Sequence, residues 1–139
     1  MEQFASGTGP CIGLSEVGVE EITRARAMLP IAAIQNKYNL ADRTWEDVVD
    51  YCEREGLAFI PWYPLAAGTI AAQGAIEQVA RGHGATPFQI ALAWLLARSH
   101  AMLPIPGTST VAHLEQNMAA GSIVLSLEDL ATLDANQPE

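Results

Sequence analysis

Four short apolar runs, each followed by polar turn residues and then by a stretch with apolar positions three and four apart, set the rhythm of the chain. The runs are CIGLS (11–15), IAAIQNKYNL (31–40), LAFIPWYPL (57–65) and AMLPIPG (101–107). Helical spacing follows in VGVEEITRARAML, in WEDVVDYCEREG, which should stop at Gly56, and in AIEQVARGHG, which should stop at Gly82 and Gly84. ATPFQIALAWLLARS opens with Thr86 as cap, Pro87 in the first turn and Gln89 as capping-box partner. TVAHLEQNMAAG follows the last run, Ser126 and Asp129 cap a final helix SLEDLATLDAN, and the tail NQPE should fray. Strands that alternate with helices imply parallel pairing through crossovers. Runs nearly continuous in apolar residues suit strands covered on both faces. Two architectures fit, an open doubly wound sheet or part of a (β/α)8 barrel. The lack of GxGxxG after the first strand weighs against the dinucleotide-binding open sheet.

With 139 residues, 50% hydrophobic and 17% charged, the chain has the makings of one compact domain. No run approaches a membrane span, and the start MEQFASGTGP lacks the basic-then-apolar order of a secretion signal, so the chain reads as cytoplasmic. Cys11 and Cys52 show no CxxC spacing and read as small buried thiols. A net charge of −9 without a Lys/Arg cluster argues against nucleic-acid binding. The acidic pairs at 20–21, 46–47 and 128–129 fall at helix starts, where they complement the helix dipole. No two histidines have ligand spacing, which predicts no metal site.

IGLSEVGVEEI, IQNKYNLADR, IPWYPLAAG and LPIPGTSTVAHLEQN, in that order, resemble four motifs of the aldo-keto reductase family. The likeness is nearest to bacterial members whose turns read SEV, WYPL and GTS, and it covers the chain from about residue 11. It implies the C-terminal half, a (β/α)4 unit at 11–139, of an α/β (β/α)8 barrel, preceded by a flexible or unrelated lead at 1–10. It also implies binding of NADP(H), with NAD(H) the lesser alternative, and reduction of aldehydes or ketones to alcohols. The family's Asp, Tyr, Lys and His tetrad resides in the other half of the barrel, so no residue of this chain is assigned a catalytic role.

By resemblance, Ser15 and Gln35 bond the nicotinamide carboxamide, which suits a hydroxyl and an amide. Taken alone, Gln35 reads as a strand-end amide tying down its own loop. Glu16 stands where the family often has Asn, which removes a donor. Trp62 matches the aromatic that stacks on the nicotinamide, against the plainer reading of a core indole with its N–H satisfied. Backbone amides around Tyr63, Pro64 and Leu65 match the pyrophosphate turn, whereas Tyr38 reads as structural. Pro106 and Gly107 end the last strand, Gly107 permits close backbone approach, and a helix starting near Thr110 presents free amides to an anion. Thr108 and Ser109 add hydroxyls, and His113, Gln116 and Asn117 match contacts to the 2′-phosphate and adenine. Many members carry Lys in place of Gly107 and Arg in place of His113. A lone imidazole, which titrates near neutrality, implies a weaker and pH-dependent grip on the phosphate. His83 and His100 read as exposed histidines without a ligand.

Two functions remain at this point. One is the cofactor-binding half of a carbonyl reductase, inactive by itself because no acid faces the carbonyl, with a carbonyl substrate if the barrel is completed. The other is a non-catalytic fragment or assembly module that keeps the nucleotide scaffold. Four βα units leave two open strand edges and an uncovered inner face, which predicts self-association or dependence on an N-terminal half.

Overall fold

The computed structural model describes residues 11–66 and 74–135, so the expectations for the lead at 1–10 and for the tail NQPE lie outside the described residues. Three parallel strands stand in the order β1 (Ile12–Ser15), β2 (Ile31–Gln35), β3 (Ala58–Phe59). Ser15 pairs with Gln35, and Ile34 with Phe59. The fourth apolar run, expected as a strand, pairs through one parallel bridge between Phe59 and Met102. Phe59 N–H donates to Ala101 O, and Leu103 N–H to Phe59 O, both at 2.8 Å. Pairing stops there because Pro104 and Pro106 have no N–H to give a ladder.

The crossovers are helical. α1 (Val19–Arg26) joins β1 to β2, and α2 (Glu46–Glu55) joins β2 to β3. Then come α3 (Gly74–His83), α4 (Pro87–Arg98), α5 (Val111–Ala119), a 3₁₀ turn at Ala120–Ser122 and α6 (Leu127–Asp134). The punctuation follows local chemistry. Gly56 ends α2 at φ 67°, in the left-handed region that glycine enters without a Cβ penalty. α3 runs through Gly82 and stops at Gly84, the glycine with φ 59°. Thr86–Gln89 and Ser126–Asp129 form the expected capping boxes. The acidic pairs all sit in first turns.

The core gathers on α4, whose residues Ile90–Leu95 are buried without a break, so this helix is apolar all round and lies at the centre. Trp94 stacks on Tyr38 at 5.9 Å, and Tyr38 meets Phe59 edge-on at 5.6 Å. Tyr38, read as structural, is fully buried. Its hydroxyl donates to Glu46 at 2.5 Å, and Glu46 also accepts from Arg98, which pairs with Asp50 at 2.6 Å. Arg43 lies over the Trp94 ring at 4.3 Å and bonds Asp134 at 2.6 Å, tying the β2–α2 loop to α6.

Two expectations about burial need correction. Cys52 is buried, and desolvation pushes its thiol up to about 11, but Cys11 is exposed. It lies in phase with the exposed Gly13 and Ser15 of an edge strand, while Ile12 and Leu14 point to the half-buried face. Nor are the strands covered on both faces, since Ala32 in β2 is also exposed. Outside the core, Leu96, Leu103, Leu114 and Met118 are exposed apolar residues. They border a groove of about 430 Å³ that Pro104 and Pro106 also line.

Candidate functional site

The C-terminal ends of the strands meet in a cross-linked cluster. Ser15 ends β1 exposed to solvent, and its register partner Gln35 ends β2 half-buried. The chain leaves β1 through Glu16, a non-glycine residue at φ 53°, whose N–H donates to Gln35 O at 3.1 Å. Such a conformation costs roughly 1 kcal/mol or more and persists where the surroundings hold it. They do so here. Oε1 of Glu16 accepts from Lys37 N–H at 2.6 Å and from the Trp62 indole N–H at 2.5 Å. Asn36, fully buried, accepts from Val17 N–H at 3.2 Å, donates to Val17 O at 2.9 Å, and takes Trp62 N–H on its own carbonyl at 3.1 Å. Trp62 is half-buried with its N–H satisfied, while the neighbouring Tyr63 is 42% exposed.

The turn after Trp62 is equally constrained. Tyr63 and Ala66 have φ 60° and 46°, and Asn39 Nδ2 donates to Tyr63 O at 3.1 Å. Pro64 carries no N–H, so an acidic ligand at this turn would find the amides of Tyr63 and Leu65. Lys37 lies 5.7 Å from the Tyr63 ring centre and pairs with Asp42 at 2.9 Å, and that bond holds the Asp42 carboxyl below its ordinary range.

A second region lies beside the first. Leu65, Gly107, His113, Gln116 and Asn117 line one cleft of about 450 Å³ together with Thr86, Pro87 and Phe88. An adjoining cleft of about 470 Å³ is lined by Tyr63, Pro64, Leu65, Phe88, Ile105, Pro106 and Gly107. Leu65, Phe88 and Gly107 are shared, so the two form one continuous depression from the Tyr63 turn to α5. Thr108 and Ser109 are exposed at its end but line neither cleft.

The start of α5 is sharper than the sequence implies. Thr110 caps the helix by accepting His113 N–H at 3.3 Å, and Thr110 N–H donates to the Thr108 hydroxyl at 3.2 Å. These two amides are thus engaged within the protein, and the first-turn amides of Val111 and Ala112 are the ones a helix start leaves for a ligand. A Cβ built on Gly107 meets nothing within 4 Å, so no protein atom demands glycine there. His83, read as an exposed histidine without a ligand, is exposed and bonds Asp129 at 3.0 Å across α3 and α6. Hydrogen bonds from His83 and then Ser126 hold the Asp129 carboxyl down to about 2.

Two residues at the site escaped sequence reasoning. Glu16 read as a lost donor, yet it is the acceptor on which the strand ends converge. Phe88 drew no reading from the sequence, yet it is 38% exposed on the wall shared by both clefts. An aromatic in the first turn of a capped helix was the available signal. Among the described residues, no group of three His, Cys, Asp or Glu is placed to hold a metal, and no helix is long and apolar enough to cross a membrane.

Parallel strands whose C-terminal ends carry the clefts and the strained turns are the arrangement of the α/β barrels, which assemble their sites on that face. The Aldo/keto reductase family model matches residues 2–137, and the chain belongs to that family. It is 51% identical over 124 residues to an uncharacterized oxidoreductase of Schizosaccharomyces pombe, covering 88% of this chain and 40% of that protein. It is 46% identical over 123 residues to pyridoxine 4-dehydrogenase of Escherichia coli, covering 88% of this chain and 43% of that one. The aldo/keto reductase of Klebsiella pneumoniae, solved in complex with NADP and acetate, superposes with a TM-score of 0.84 at 31% identity, over 99% of this chain and 52% of that chain. The chain therefore spans about two-fifths of the curated relatives it matches.

Proposed function

We propose that this chain is the cofactor-binding, C-terminal (β/α)4 half, at 11–139, of an NADP(H)-dependent aldo-keto reductase that reduces aldehyde or ketone groups to alcohols. The observation that carries the reading is the shared depression. Leu65, Gly107, His113, Gln116 and Asn117 come from three separate segments and meet on its walls. Its donor set fits a dinucleotide. Gln116 and Asn117 offer amides to a base, and Phe88 adds a flat apolar face. Val111 and Ala112 amides, with the Thr108 and Ser109 hydroxyls and His113, suit a phosphate. At the other end, Tyr63 and Leu65 amides suit the pyrophosphate, and Ser15 and Gln35 the carboxamide, beside the Trp62 ring.

When bound, the cofactor supplies a hydride. The residues of this chain orient it: Trp62 fixes which ring face is offered, Ser15 and Gln35 fix its rotation, and the α5 start anchors the far end. No residue here matches the family's tetrad, so the pure 139-residue chain is expected to show no carbonyl-dependent NADPH oxidation. The β1 edge and the 101–106 edge are where a barrel would be completed, by its other half or by a second copy. Light scattering at micromolar concentration is expected to show association, and a stable compact monomer counts against it.

The direct test is titration of the chain with NADPH and NADH, followed by cofactor fluorescence. NADPH is expected to bind more tightly than NADH, and His113→Ala, which removes a side chain from the cleft wall, is expected to narrow that preference. Equal binding of the two cofactors, or no binding of either, sinks the reading.

A further inference from the structure

We propose that Glu16 is the positioning residue of the nicotinamide end: its carboxylate locks the plane of the Trp62 indole to the ends of β1 and β2. This rests on the cofactor reading above, and it goes beyond it by giving a role to a residue outside the lining of the two clefts.

The geometry is specific. One carboxylate oxygen receives two N–H donors at 2.5 and 2.6 Å, the indole of Trp62 and the backbone amide of Lys37. Contacts this short to a charged acceptor are the strong class of hydrogen bond. Trp62 is anchored at three points: its backbone N–H on Asn36 O, its carbonyl accepting Tyr38 N–H at 3.3 Å, and its ring on Glu16. Backbone bonds fix where the residue sits, but they leave the ring free to turn about its side-chain torsions. The Glu16 bond removes that freedom. The carboxylate is carried there by a left-handed residue at φ 53°, itself pinned by its N–H on Gln35. A shorter Asn at this position would have to span the same gap with one methylene fewer. Lys37 is engaged by Asp42 at 2.9 Å, so its ammonium has a carboxylate partner other than Glu16. Ser15, Gln35 and Trp62 are thereby set in one frame before any ligand arrives, which lowers the ordering cost of binding.

The test uses the full chain with its three tryptophans, Trp45, Trp62 and Trp94, as reporters. The Trp62 indole N–H resonance, assigned by its loss in Trp62→Phe, is expected well downfield, as a short bond to a carboxylate requires. Glu16→Ala is expected to move that resonance upfield and to weaken NADPH binding about tenfold. Glu16→Gln, which keeps an oxygen acceptor on the same stem, is expected to restore most of both. Unchanged Trp45 and Trp94 indole resonances show that the variant has folded. A Glu16→Ala chain whose Trp62 resonance stays in place overturns the clamp, whatever the cofactor does. A shifted resonance with wild-type NADPH affinity overturns the positioning role and leaves the cofactor reading intact. A wild-type chain that does not respond to NADPH defeats the cofactor reading and this role with it, while the indole shift still shows whether the clamp exists.

Discussion

The strand-end cluster and the α5 cleft serve the same surface but are built in opposite ways. At the strand ends, Glu16, Asn36 and Asn39 spend their polar atoms on protein partners, and three non-glycine residues, Glu16, Tyr63 and Ala66, are held in the left-handed region. At α5, Gly107, Thr108, Ser109, His113 and Gln116 are exposed, and no residue of that helix is buried. Rigidity is concentrated at the strand ends, where the proposed site would orient a planar ring, and exposure at the start of α5, where it would receive an anion. A pre-built half costs stability when disturbed, whereas an open half costs affinity.

That contrast can be broken by substitution. The largest effect is expected at Asn36, since Asn36→Ala leaves both backbone groups of Val17 unpaired beside a buried site, for a loss of about 2 kcal/mol in a urea or thermal unfolding measurement. A loss below about 0.5 kcal/mol would deny that the strand ends are pre-built. Next, Gly107→Lys should leave unfolding unchanged, because its Cβ meets nothing, and should tighten NADPH binding about tenfold by adding a cation beside the phosphate. The gain should shrink at high salt, and a destabilised variant with no gain would place the phosphate elsewhere. Thr110→Ala is expected to cost about 1 kcal/mol of stability through the lost cap of α5, and NADPH should recover part of it if the freed amides meet a phosphate.

The smallest effect concerns acid. Asp129 is held down to about 2 by its bonds to His83 and Ser126, against an ordinary value near 3.8. A carboxylate whose folded pKa is depressed contributes stability above its unfolded pKa, and that contribution disappears as pH falls from about 4 towards 2. Asp129→Asn should therefore lower the melting temperature slightly at pH 6 and not at pH 2. An equal change at both would mean that the cap geometry, and not the charge, is what matters.

Much of the architecture was legible in the chain. Helix limits at Gly56, Thr86 and Ser126 follow from caps and from glycine's access to positive φ, which are properties of a few adjacent residues. The four ordered motifs carried the family, which the match over residues 2–137 establishes. The alternation of apolar run and helical stretch determined parallel pairing, because no tight turn joins parallel neighbours.

Other features depended on distance through space. The fourth run looked like a strand, but whether its amides pair depends on the neighbour and on where Pro104 and Pro106 fall against it. Neither Cys11 nor Cys52 has a local motif that marks its burial, yet one continues the exposed phase of an edge strand and the other sits on the buried face of α2. Glu16 acquired its role from Lys37 and Trp62, the latter 46 positions away, and Phe88 faces the clefts because Leu65 and Gly107 are folded against it. Local sequence determined the elements because capping and periodicity act within a turn or two. Which polar groups find each other was decided by the tertiary structure, because a hydrogen bond needs atoms within about 3 Å and chain order does not encode that distance.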